Sequence, residues 1–269
     1  MTMLPETKET DAQIEKKLTE RFEVLEFLTE AALNGDANAA IISGPPGLGK
    51  SYTIEQALKS WDPNKINSIM VKGYVRATGL YKLLHQYRSK GQVIVFDDAD
   101  TVFFDDTSLN LLKAVCDTCE TRTVSWLSEA TLIDETTGQV IPTRFDFDGT
   151  VLFLTNIDFD YYISKGHKLQ PHLEAMISRA HYIDLAMKTR RDYMVRIRQV
   201  VKQGLLANMG LTKVEQAEVM QFVEDNQKNL RELSLRIAIK IGNLRKMKPS
   251  KGNYDWKKFA KITCCRGTN

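Results

Sequence analysis

The chain is poor in the residues that would place it outside the cell or in a bilayer. It has four cysteines in 269 residues, Cys116, Cys119, Cys264 and Cys265, in two tight clusters. That is too few and too clustered for a disulfide framework, so a reducing cytoplasmic setting is expected. No run of about 18 apolar residues occurs, so no membrane-spanning helix is expected. The first residues, MTMLPETKETDAQIEKK, do not place an apolar stretch behind a basic one, so no secretory signal is read. Four histidines, His85, His167, His172 and His181, form no metal or catalytic spacing. Low complexity and internal repeats are also absent.

What is present is an ordinary globular composition, 43% hydrophobic and 26% charged, enough for one large domain or a core with an appendage. The net charge of +3 is unevenly spread. Arg245 to Asn269 holds eight basic residues against Asp255 alone, and the +7 there leaves −4 for the rest. Such a tail is either a solvated terminus or a surface for nucleic acid or another acidic partner.

Helical periodicity predicts an amphipathic helix from about Thr10 to Asn34. Strand-like apolar runs at Ala39–Ser43, Ser68–Lys72, Val93–Phe96, Thr121–Ser128, Val151–Leu154 and Tyr182–Leu185 alternate with helical segments, among them Ser108–Cys119 and Pro171–Arg179. Alternation of this kind implies a parallel sheet covered on both faces, a three-layer α/β core. Leu132–Phe147, with Thr137-Gly138 and Pro142, reads as a hairpin excursion. Beyond Leu185 only helices are expected, at Arg190–Gln203, Lys213–Asn226 and Ser234–Met247, with a short one at Trp256–Ile262. The expected organisation is a nucleotide-binding core over residues 1–187, a small all-helical lid over 188–248, and a basic tail over 249–269.

The strongest chemical signal is Gly44-Pro45-Pro46-Gly47-Leu48-Gly49-Lys50-Ser51, a G-x-x-x-x-G-K-[ST] phosphate loop between a buried strand and a helix. Its glycines allow backbone N–H groups to turn toward phosphate oxygens, and the helix N-terminus adds partial positive charge. Lys50 is expected to reach the β and γ phosphates of ATP, and Ser51 to ligate Mg²⁺. Tyr52 follows as a further nucleotide-binding position. The strand Val93–Phe96 delivers Asp97 and Asp98; Asp97 is the expected second Mg²⁺ residue and Asp98 the group that polarises the attacking water. The strand Val151–Leu154 ends in Thr155-Asn156, and the Asn156 amide is placed to position water and γ-phosphate. Cys116-Asp117-Thr118-Cys119 is read as lying in a helix and is not assigned to zinc.

Together GPPGLGKS, VIVFDDAD, LFLTN, the arginine of MISRA and the later helices resemble the AAA+ ATPase superfamily over residues 10–248. The segments FDDAD, SLNLLKAVCD and FDFDGTVLFLTN are similar to small bacteriophage AAA+ proteins. The resemblance implies a P-loop NTPase core and a homo-oligomeric ring, a hexamer. It makes Arg179 a finger reaching a neighbouring subunit's γ-phosphate. It also implies a lid arginine on the third lid helix. Asn229 as cap would make that residue Arg231; Ser234 as cap would make it Arg236, the preferred register because it leaves Ile237, Ile241 and Leu244 as a core stripe. Asp98 departs from the family's usual glutamate, which bears on rate. Lys72, Tyr74 and Arg76 occupy a region that faces the pore in such rings. The implied work is ATP hydrolysis in phage DNA metabolism, as a helicase-loader or clamp-loader-like protein partnered by single-stranded DNA or a replication protein. Remodelling of proteins, as in the MoxR and Rubisco-activase types, and a slow nucleotide-dependent assembly switch are the alternatives. No membrane partner is expected.

Overall fold

The computed structural model describes residues 8–128, 131–135, 137–185, 187–248 and 254–267. In chain order the first elements are α1 (Asp11–Asn34), β1 (Ala39–Ser43), α2 (Lys50–Trp61), β2 (Ser68–Lys72), α3 (Ala77–Gln86) and β3 (Val93–Asp97). A 3₁₀ turn (Asp100–Phe103) leads into α4 (Asp106–Val115), then β4 (Thr123–Ser125), β5 (Leu132–Ile133), β6 (Val140–Ile141), β7 (Arg144–Asp146) and β8 (Thr150–Thr155). Next come α5 (Phe159–Ser164), α6 (Gln170–Ile177) and β9 (His181–Asp184). The remainder is helical: α7 (Arg190–Lys202), α8 (Leu205–Asn208), α9 (Lys213–Asn226), α10 (Leu235–Lys246) and α11 (Trp256–Cys264).

The chain divides into two compact units: Arg21–Pro45 with Lys50–Leu185, and Met1–Glu20 with Pro46–Gly49 and Ala186–Asn269. The first unit is built on a five-stranded sheet in the order β2-β3-β8-β1-β9, with every pairing parallel. All residues of β1, β3 and β8 are buried, as required of central strands covered on both faces. Phe96 stacks on Phe153 across adjacent strands with ring centroids 5.3 Å apart, and Phe103 packs on Phe153 and Phe159. The sheet and its helices thus form the P-loop NTPase architecture, with loops carrying function gathered at the strand C-terminal ends.

Three sequence expectations are corrected here. Thr121–Ser128 is not a strand of the main sheet. Only Thr123–Ser125 is extended, paired antiparallel with β7, because its polar–apolar alternation suits a half-exposed ribbon and β8 fills the central position. The helix expected to reach Cys119 ends at Val115, with Cys116 as its C-cap, so the four residues from Cys116 lie beyond it. Phe159–Ser164 is a helix that periodicity did not indicate, started by Asp158 accepting the Tyr161 N–H at 2.9 Å. The excursion at Leu132–Phe147 does contain a hairpin, β5 with β6, alongside β7.

The second unit is helical. Thr189 and Asp192 form a capping box at the start of α7, and Thr212 and Glu215 form another at α9. Arg191 and Arg198 pair with Asp11 at the N-terminal end of α1, and Gln199 donates to Thr19 at 2.7 Å. Part of the expected basic tail is ordered structure: α11 follows an Asp255 cap and is tied by an antiparallel bridge between Leu230 and Cys265. Residues 249–253 of that tail lie outside the described residues.

Candidate nucleotide site

The phosphate loop leaves β1 after Ser43 and re-enters regular structure at Lys50, the first residue of α2. Gly47 and Gly49 have φ of +77° and +103°, a left-handed conformation that side-chain-bearing residues rarely adopt. Gly44, Pro45 and Leu48 are buried, Pro46 is exposed, and Tyr52 is 64% exposed. Lys50 is buried, and its ammonium donates to the carbonyls of Gly44 and Pro45, the latter at 2.9 Å. A cation held inside a loop of positive-φ glycines fits a phosphate chain.

Lys50 also donates to Asn156 Oδ1 at 3.1 Å, and Asn156 Nδ2 donates to Asp98 Oδ1 at 2.6 Å. Three residues from three separate strand ends and loops are thereby joined in one line. Asp98 has φ of +53°, and its N–H donates to Leu154 O at 3.1 Å. This turns the backbone at the end of β3 and leaves the Asp98 carboxylate exposed while Asp97 stays buried. A non-glycine residue in that conformation costs about 1 kcal/mol, and aspartate and asparagine are among those that tolerate it.

Asp97 accepts from Ser51 Oγ at 2.7 Å and from Lys72 Nζ at 3.1 Å. Hydroxyl and carboxylate side by side are a donor set suited to magnesium, a hard cation that prefers oxygen. Lys72 pairs also with Glu55 at 2.7 Å. The Glu55 hydrogen bond and then the Asp97 contact raise the Lys72 pKa against the opposing effect of burial. Lys72 is the last residue of β2, and its charge is engaged by two carboxylates at the sheet's end. Sequence reasoning missed both this lysine's contact and Glu55. The relevant signal is register, since Lys72 stands directly opposite Asp97 in the β2–β3 pairing. Behind Asn156, Thr155 Oγ1 donates to Asp100 at 2.6 Å. Burial raises the Asp100 pKa, partly offset by the Thr155 hydrogen bond.

In the helical unit Ser234 caps α10, so Arg236 is the second residue of that helix. The Leu235 N–H donates to Gly47 O at 2.8 Å, and a Cβ on Gly47 would stand 2.7 Å from Ser234 Cβ and 3.6 Å from Arg236 Cγ. Arg236 thus adjoins Gly47. Arg231 lies before the helix, exposed, with its N–H donating to Cys264 O at 2.9 Å.

Arg179 lies just beyond α6, and the hydrogen bonds its side chain forms among the described residues are to Asp117, Ala175 and Ser178. Its Nη1 donates to Ala175 O at 2.9 Å and its Nε to Asp117 Oδ2 at 3.4 Å, with the side chain one-third exposed. Asp117 is held below the usual carboxylate range by hydrogen bonds from Cys119, side chain and backbone, and then by Arg179. Tyr74 is 71% exposed with the Arg76 guanidinium 5.9 Å from its ring centre.

No family model matches the chain. It is 35% identical over 240 residues to the uncharacterized 36.7 kDa protein of the nrdC-mobD intergenic region of Enterobacteria phage T4, covering 88% of this chain and 73% of that protein. Among solved structures it is similar to a mutant of Thermotoga maritima RuvB, with a TM-score of 0.49, 17% identity, and coverage of 94% of this chain and 70% of that one. It is also similar to NtrX from Brucella abortus in complex with ATP, with a TM-score of 0.49 and 12% identity. That alignment covers 86% of this chain but spans only 53% of NtrX. Sequence identity of this extent means that the chain belongs to the family of that T4 phage protein, and its phosphate loop and β2-β3-β8-β1-β9 parallel sheet give it a P-loop NTPase fold.

Proposed function

We propose that this protein binds ATP with magnesium, hydrolyses it, and works as a homo-oligomeric ring, a hexamer, in phage DNA metabolism. The observation that carries the reading is the line from Lys50 through Asn156 to Asp98, beside the Ser51–Asp97 pair. Lys50 neutralises charge on the terminal phosphates. Ser51 and Asp97 would hold a magnesium ion, which would screen the phosphate oxygens. Asp98 accepts the proton side of the attacking water, and Asn156 fixes where that carboxylate points. Arg236 supplies a further cation at the loop.

Arg179 is the finger supplied in trans. Its Nε and Nη1 are occupied by Asp117 and Ala175, which sets the guanidinium plane and leaves Nη2 for a neighbouring subunit's phosphate. A finger of this kind is worth about 10³–10⁵ in rate. Turnover should therefore rise with protein concentration and vanish in Arg179→Ala, with ATP binding retained.

The deciding experiment is ATP turnover against protein concentration, with and without single-stranded DNA, beside Lys50→Ala as the inactive reference. Turnover that rises with assembly and with DNA supports the whole reading. Turnover indifferent to DNA shifts the work to protein remodelling, for which the exposed Tyr74 and the β5–β6 hairpin offer contacts. ATP binding without turnover at any concentration leaves an assembly switch and refutes the motor.

A further inference from the structure

Helix α11 is held by one side and at one end. Ala260 and Cys264 are buried, and Trp256 packs against Phe222 of α9 with ring centroids 5.6 Å apart. Beyond the helix, the Leu230–Cys265 bridge is flanked by Arg231 N–H to Cys264 O at 2.9 Å and Arg266 N–H to Asn229 O at 2.8 Å. This tether carries the exposed Arg231 and Arg266 on its two strands, one on each. The opposite side of α11 consequently has a fixed outward face.

That face is cationic, with the Lys257 ammonium 5.6 Å from the centre of the Trp256 ring. Lys257, Lys258, Lys261 and Arg266 are all exposed. Asp255 is the one acid of the segment 254–267, and it is engaged as the helix cap, accepting from the N–H groups of Lys257 and Lys258 at 3.0 and 3.3 Å. Among the described residues, no carboxylate forms an ion pair with any of these four or with Arg231. By contrast the exposed Lys72 and Lys240 and the half-buried Lys17 and Arg198 each have an acidic partner. Between the lysines two apolar side chains face outward, Phe259 at 46% and Ile262 at 66% exposure. Phe259 is backed by Tyr254, with ring centroids 5.0 Å apart, so the ring stands on a support.

We infer that this face of α11, with Arg231, is a docking surface for single-stranded nucleic acid. Unpaired cations match a phosphate chain, and a supported, exposed aromatic ring among them matches unstacked bases, which offer a π-face whatever the sequence. A duplex would hide its bases from Phe259. An anionic membrane would call for a continuous apolar face, and the apolar side of α11 is already used inside the protein. None of its residues is among those assigned to the nucleotide, so the inference does not depend on ATP hydrolysis.

The test is fluorescence anisotropy of labelled oligothymidylate and oligouridylate with the full chain and no nucleotide. Five phosphate contacts predict a slope of log K on log salt of about −3.5, an affinity loss of about 10²-fold between roughly 50 and 200 mM salt. Lys258→Ala with Lys261→Ala should reduce the slope to about −2. Phe259→Ala should weaken binding by about fivefold or more with the slope unchanged. Lys50→Ala should bind as the wild type does, which separates this surface from the ATPase reading. Ultraviolet crosslinks to the wild type should map to residues 256–266, which holds even if a variant folds poorly. Preference for one oligomer over the other identifies the nucleic acid. The proposal is overturned if neither oligomer binds at low salt, if the α11 variants bind like the wild type, or if only phosphatidylglycerol vesicles or polyglutamate bind.

Discussion

Asn156→Ala is the most incisive single perturbation, because Asn156 bridges the phosphate-loop lysine and the water-activating carboxylate. The substitution removes one bond from the Lys50 ammonium at 3.1 Å and one to the Asp98 carboxylate at 2.6 Å. Each is a hydrogen bond to a charged group, for which about 1.5 kcal/mol is appropriate given that Asp98 is solvent-exposed. If both act in the transition state, the loss is about 3 kcal/mol, or roughly 10²-fold in kcat at about 1.4 kcal/mol per decade. Lys50 keeps the Gly44 and Pro45 carbonyls, and only one of the two lost bonds touches the phosphate-binding cation. ATP affinity should therefore fall by no more than about tenfold. Steady-state turnover at saturating ATP, with a fluorescent nucleotide titration beside it, reads the two quantities separately. A variant that binds ATP and turns over at the wild-type rate would refute the assignment of Asn156 and Asp98. Asn156→Asp should be as inactive, since it sets a second carboxylate against Asp98.

Further expectations follow from separate parts of the molecule. Mixing Arg179→Ala with Lys50→Ala should restore part of the turnover that each lacks alone, because one subunit keeps the site and the other keeps the finger; mixtures no more active than their components would exclude action in trans. Gly149→Ala should destabilise the core, since its Cβ would stand 2.4 Å from Tyr87 O and 3.1 Å from Gln92 O. About 3 kcal/mol of overpacking corresponds to a melting temperature lower by about 6–12 °C, checked by calorimetry. Iodoacetamide at mildly alkaline pH should label Cys119 and spare Cys116, whose thiol burial pushes up to about 12. Because that folded pKa lies above the ordinary 9.0, the neutral thiol's contribution to stability is intact below pH 9 and is lost as pH rises toward 12. Acceptance of the Cys119 thiol hydrogen bond by Asp117 raises the Cys119 pKa, so Asp117→Asn should speed its labelling, measured by mass spectrometry of the modified peptide.

The local chemistry of this protein was legible in its sequence wherever a motif is contiguous. Gly44–Ser51 between an apolar run and a helix, Asp97-Asp98 after four buried residues, and Thr155-Asn156 at the end of another strand are each short-range patterns. The helix starts at Thr189, Thr212 and Ser234 follow from side chains that satisfy nearby N–H groups, and the placing of Arg236 follows from the last of them. What was not legible depends on which strands become neighbours. Thr121–Ser128 reads as a sheet strand by propensity, yet β8 occupies the centre because its six residues are buried on both faces. Lys72 reads as a free loop cation until register sets it opposite Asp97. Arg179 is held by Asp117, 62 residues earlier in the chain, and no spacing rule joins them. Phe259 and the α11 lysines read as part of a charged tail until the Leu230–Cys265 bridge fixes which side faces out. Sequence by itself determined the groups available for chemistry, since those follow from bonds along the chain. Only the tertiary structure decided which of them meet, because strand pairing and helix docking are long-range choices made by burial.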